Sequence, residues 1–110
     1  MGRLQEYLAG RFGFEITSRE HQDTLGALAL QIVQNNPNRV QVIIMNLSVN
    51  NVYIGFTSQV GITNGILLAA NGGQVGFMAP DDGDLPGRAI YAIAAAGAPV
   101  VYTIETEALV

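Results

Sequence analysis

The stretch Asn38–Thr57, NRVQVIIMNLSVNNVYIGFT, most restricts what this chain can fold into. It reads as two strands, Arg39 to Leu47 and Val52 to Thr57, separated by Ser48-Val49-Asn50-Asn51. Residues two apart share a face of a strand. Val40, Val42 and Ile44 therefore form one apolar stripe, and Val52, Ile54 and Phe56 another. Asn50-Asn51 tolerates the positive φ of a tight reversal, so the pattern predicts a central hairpin. The other face of the first strand, with Ile43 and Met45, is too apolar for free solvent. It is expected to be covered by the rest of the domain or by a neighbouring chain.

The remaining punctuation also predicts strands. Ala27–Gln34 places Leu28, Leu30 and Ile32 on one face and ends in the turn signal Asn35-Asn36-Pro37-Asn38. Ser58–Gly65 reads as a loop, and Ile66–Ala70 as a short strand. Asn71-Gly72-Gly73 suits a type I′ hairpin turn to Gln74–Ala79. After the loop Pro80–Gly87, Arg88–Ala95 is apolar on both faces. Ala96-Gly97-Ala98-Pro99 turns the chain into a last strand, Val100–Thr106. About seven to eight strands with frequent turns indicate an all-β, antiparallel β-sandwich, jelly-roll or Greek-key-like. At 110 residues one such domain is expected over 27–110.

Residues 1–26 differ from the rest. Leu4, Tyr7 and Leu8 have the spacing of a short amphipathic helix; Gly10 and Gly13 interrupt it, and Phe12, Phe14 and Ile16 alternate as in extended chain. Arg3, Arg11 and Arg19 lie here beside Glu6, Glu15, Glu20 and Asp23. The segment reads either as a terminal segment packed on its own domain or as an N-terminal arm whose Leu4, Tyr7, Leu8, Phe12 and Phe14 are the candidate partner-binding residues, because apolar side chains on a terminal segment need cover.

Composition excludes several functions. Charged residues are 13% of the chain, about half the usual ~25%, which favours an assembled protein whose surface is covered by neighbours. The net charge is −4 with five scattered arginines and no lysine, so there is no basic face for nucleic acid. The absence of cysteine removes disulfides, thiolate metal sites and cysteine nucleophiles. The N-terminus has no apolar run suited to a signal peptide or membrane span, and cytoplasmic assembly is expected.

No residues form a catalytic constellation. His21, the single histidine, lacks the partners of a general base and is expected at the surface or an interface. Asp81, Asp82 and Asp84 resemble a hard-cation loop only loosely; a solvated acidic turn is the expectation. GITNG and NGGQVG lack the Lys-Ser or Lys-Thr of a phosphate loop. Tyr53, Phe56, Phe77, Tyr91 and Tyr102 could stack on a sugar, but their alternation suits core or interface packing. No cofactor or metal is expected.

The segments NPNRVQVIIMN, VYIGF, GITNGILLA and RAIYAIAAAG followed by VVYTIE resemble small virion structural proteins of tailed phages, over Asn36 to about Glu105. The resemblance implies a capsid decoration or head-associated β-sandwich, without enzymatic activity. It would sit on the outer capsid surface, often as a homotrimer at a three-fold position, and cement the major capsid protein. A tail, fibre or baseplate sandwich that binds a host glycan or protein is the alternative.

Overall fold

The computed structural model describes residues 15–79 and 82–109. Eight strands follow in order: β1 (Glu15–Thr24), β2 (Leu30–Val33), β3 (Arg39–Asn46), β4 (Val52–Gly55), β5 (Ile66–Leu68), β6 (Gln74–Met78), β7 (Ile90–Ala94) and β8 (Val100–Leu109), with one 3-10 turn at Leu85–Gly87. They form two four-stranded sheets, ordered β1-β8-β3-β6 and β2-β7-β4-β5, and every pairing is antiparallel. The chain crosses between sheets at every connection except β4 to β5. This is the strand order of a jelly roll, in which long crossovers wrap one sheet over the other.

The inner faces follow the alternation. Val42 and Ile44 from β3, Val101 from β8 and Phe77 from β6 meet Val52 and Ile54 from β4, Ile90, Ala92 and Ala94 from β7, and Leu68 from β5. At about 25 cal/mol per Å² of apolar area, this interlocked core is the main stabilising term. Val40 is only half-buried because a bulge between Arg39 and Gln41 shifts the register of β3 against β8. Phe56 packs against the core from beyond β4, tilted onto Phe77 with ring centroids 5.4 Å apart.

Several sequence expectations are corrected. β3 and β4 are not a hairpin: β3 pairs with β8 and β6, and β4 with β7 and β5. Each has an apolar stripe, and the two stripes face each other across the core instead of lying side by side. Asn71 and Gly72 do take positive φ (64° and 109°), yet their turn carries the chain from one sheet to the other. The strand expected over Ala27–Gln34 is confined to Leu30–Val33. Glu15–Thr24, read within the N-terminal segment, is a ten-residue strand in register with β8 from Glu15 opposite Leu109 to Thr24 opposite Val100, and Ile16 is buried. The helix expected near Leu4–Leu8 lies outside the described residues.

The outer faces are also apolar. Ile43 is in register with Ile104, and Met45 with Tyr102; all four are half-buried on the outside of their sheet. On the other sheet Leu67, Tyr53 and Ile93 lie side by side.

Candidate functional site

β1 and β3 finish at the same end of the sandwich, and four loops close it: residues 25–29 (LGALA), 47–51 (LSVNN), 69–73 (AANGG) and 95–99 (AAGAP). None carries a charged residue. Leu28, Val49 and Leu47 stand 84%, 79% and 52% exposed, among exposed Ala27, Ala69, Ala95, Ala96 and Ala98. The opposite end differs: its loops bring in Asp82, Asp84 and Arg88.

The loops of the uncharged end are tied to one another. Backbone N–H groups donate across them: Leu25 to Pro99, Leu47 to Val100, Asn71 to Ser48, Gly72 to Asn46 and Ala95 to Asn51. At their centre Asn46 is fully buried. Its Nδ2 donates to the carbonyls of Asn50 (2.7 Å), Leu68 (3.0 Å) and Ala69 (3.3 Å). Its Oδ1 accepts from the Ser48 N–H and hydroxyl, an Asx turn with an added side-chain bond. Gly97 has φ of 67°, and a Cβ there would lie 2.6 Å from Asn50 Nδ2. Only glycine fits this approach.

A second cluster lies where β1, β8 and β3 adjoin. Arg39 Nε donates to Glu105 Oε1 at 2.9 Å. Its other nitrogens donate to the carbonyls of Pro86, Arg88 and Gln34, clamping two connections onto the sheet. His21 sits between two carboxylates, with Nε2 2.8 Å from Glu105 Oε2 and Nδ1 2.9 Å from Asp23 Oδ2. Burial pushes the Glu105 carboxyl up, but the His21 hydrogen bond and the Arg39 and Arg19 guanidiniums outweigh it and hold it below the usual carboxylate range. A cleft of ≈ 360 Å³ opens beside this cluster, between edge strands β1 and β2, lined by Arg19, His21, Gln34 and Glu105 among others. Every member of the cluster is already paired within the chain, so the geometry is that of a structural lock. It contains no free nucleophile for chemistry.

The sequence-predicted sites fare differently. Leu4, Tyr7, Leu8, Phe12 and Phe14 lie outside the described residues, as does Asp81. Asp82 caps its own loop by accepting from the Met78 N–H at 2.9 Å, and Asp84 pairs with Arg88 at 3.3 Å. Among the described residues no group of His, Cys, Asp or Glu is arranged to hold a metal ion. The five aromatics form no single platform: Phe56 and Phe77 join the core, while Tyr53 and Tyr91 lie on one outer face and Tyr102 on the other. His21 is half-buried in the ion cluster rather than on an open surface. Sequence reasoning missed both Asn46 and the Arg39–Glu105–His21 cluster, whose members are 66 and 84 residues apart along the chain.

The fold and these surfaces define a jelly-roll domain whose distinctive features are faces rather than a cleft with reactive groups. No family model matches the chain, and no curated protein matches it. Solved structures share the fold. A de novo designed double-stranded β-helix matches with a TM-score of 0.51 and 18% identity, over 81% of this chain and 99% of that one. The Tobacco streak virus coat protein dimer matches with a TM-score of 0.50 and 13% identity, over 86% of each chain. The disulfide-linked pili of Bacillus endospore appendages match with a TM-score of 0.49 and 18% identity, over 86% and 89%. At these identities the likeness to the first two is one of fold alone.

Proposed function

We propose that this protein is a non-enzymatic structural component of a tailed-phage virion, a decoration or cement protein bound to the outer surface of the capsid. The observation that carries the reading is the uncharged, apolar and internally hydrogen-bonded end of the jelly roll, a surface suited to being covered. The fold shared with the Tobacco streak virus coat protein supports a role in a protein shell, and the sequence resemblance supports a phage head. The partners are the major capsid protein and further copies of the same chain, as a homotrimer or another homo-oligomer. The N-terminal residues Leu4, Tyr7, Leu8, Phe12 and Phe14 are the proposed capsid contacts.

Such a protein works by attachment. A rigid sandwich joined to several subunits at once turns each additional contact into an intramolecular one, so modest individual affinities suffice. Binding the assembled shell but not its free subunits stabilises the shell by mass action.

Quantitative mass spectrometry of purified particles tests the reading. Copies in proportion to the capsid subunits support shell decoration; a handful per particle point to the tail. Deleting residues 1–14 leaves β1 whole and is expected to abolish binding to undecorated capsids. Full binding by that truncated chain removes the arm from the proposal.

A further inference from the structure

We propose that the four-loop end is a self-association surface, occupied by the same end of a second copy packed around a shared symmetry axis. The inference deepens the reading of the chain as an assembling subunit and rests on that reading, though not on which particle it joins.

Charge selects the occupant. The chain carries a net charge of −4, so two copies repel at long range. A two-fold contact sets a patch against its own image, and any charge within it faces its like. Residues 25–29, 47–51, 69–73 and 95–99 contain no charge. Asp23, two residues before the first of these loops, is already bonded to His21. At the opposite end Asp82 and Asp84 would meet their own copies. The uncharged area also continues onto the outer sheet face, where Leu67, Tyr53 and Ile93 stand in register beside Ala69 and Ala95.

Part of the polar backbone at this end is already satisfied within the chain. Burying a polar group without a partner costs free energy. Here the loop N–H groups of Leu25, Leu47, Asn71, Gly72, Gly73 and Ala95 already donate within the chain, and the Ala70 N–H donates to Asn51 Oδ1. These bonds tie the loops that carry Leu28 and Val49 to one another, so part of the contact is organised before association.

Because the chain has no cysteine, Val49→Cys and Leu28→Cys place single thiols at this end of the full-length protein. Treatment with a short bismaleimide is expected to give covalent dimers for both, and none for Asp84→Cys at the opposite end. In sedimentation the wild-type chain is expected to associate as concentration rises. Val49→Asp and Leu28→Asp place like charges against each other and should weaken association by more than about tenfold, with circular dichroism and melting unchanged. A wild-type chain that stays monomeric overturns the proposal. So does an oligomer that survives both aspartates and gives no crosslink at 49 or 28; its contact would then lie on the arm or another face. Particle binding separates this from the virion reading. Tip-mediated oligomers absent from purified particles would sink the virion role alone, whereas particle-bound monomers would sink the self-association alone.

Discussion

Arg39 on β3 and Glu105 on β8 meet at 2.9 Å with side chains only 1% and 6% exposed. The same carboxylate oxygen is 3.5 Å from Arg19, whose side chain is 62% exposed. These two ion pairs share one acceptor and differ in solvent. Breaking a buried pair strands a charge and costs about 3–5 kcal/mol, whereas an exposed pair contributes about 0–1 kcal/mol. Arg39→Met also removes the donors to the carbonyls of Gln34, Pro86 and Arg88. It is expected to lower stability by about 3–5 kcal/mol in urea melts, against less than about 1 kcal/mol for Arg19→Ala. Equal effects would show that the interior position of Arg39 does not govern the pair.

The same cluster sets an acid sensitivity. Glu105 titrates lower in the folded chain than its ordinary value of 4.5. The unfolded chain therefore binds more protons in that window, and stability rises with pH there. The contribution is complete above the unfolded value and is lost as pH falls through the lower folded one. Glu105→Gln removes this titration. Its melting temperature, measured from neutral pH into the acid range, should fall less steeply than that of the wild type, starting from a lower plateau. Parallel curves would place the acid sensitivity elsewhere.

Asn46 sustains the uncharged end through side-chain bonds to Asn50, Leu68, Ala69 and Ser48. Asn46→Ala removes the donor to the buried Leu68 carbonyl and the acceptor of the Ser48 N–H; a buried polar group left without a partner costs about 1–3 kcal/mol. An overall loss on the order of 3 kcal/mol is expected. Hydrogen exchange should quicken first at Ser48, Asn71 and Gly72, whose loops Asn46 joins. Uniform quickening over both sheets would mean that Asn46 supports the whole fold rather than this end.

The sandwich was legible because alternation reports burial: Val42, Ile44, Val52 and Ile54, read as core from spacing alone, are all buried. The turn chemistry was legible too, as at Asn36, whose Oδ1 accepts from the Asn38 N–H at 3.0 Å. Pairing was not. A short polar link between two apolar strands has the same composition whether it closes a hairpin or crosses between sheets, so 47–51 was misread. β1 was obscured for a different reason. Its outward and cleft-facing residues Arg19, Glu20, His21 and Asp23 are polar, as suits an edge strand that must not pair with strangers, and they hide the β signature. The uncharged end was written plainly in LGALA, LSVNN, AANGG and AAGAP. Only the topology brings those four segments together, since strand alternation carries no information on which loops share an end.

Thr103 offers a test of the interior itself. It lies on β8 between His21 of β1 and Ile44 of β3, fully buried, and its Oγ1 has no hydrogen-bond partner among the described residues. A buried hydroxyl without a partner carries its desolvation cost uncompensated, about 1–3 kcal/mol. Valine keeps the β-branched shape that suits a central strand and replaces the hydroxyl with a methyl. Thr103→Val is therefore expected to stabilise the chain by about 1 kcal/mol, read as a higher urea midpoint at unchanged slope. Destabilisation by Val, with Thr103→Ser tolerated, would show that the hydroxyl is bonded in solution, to ordered water or to a group of the cleft beside His21.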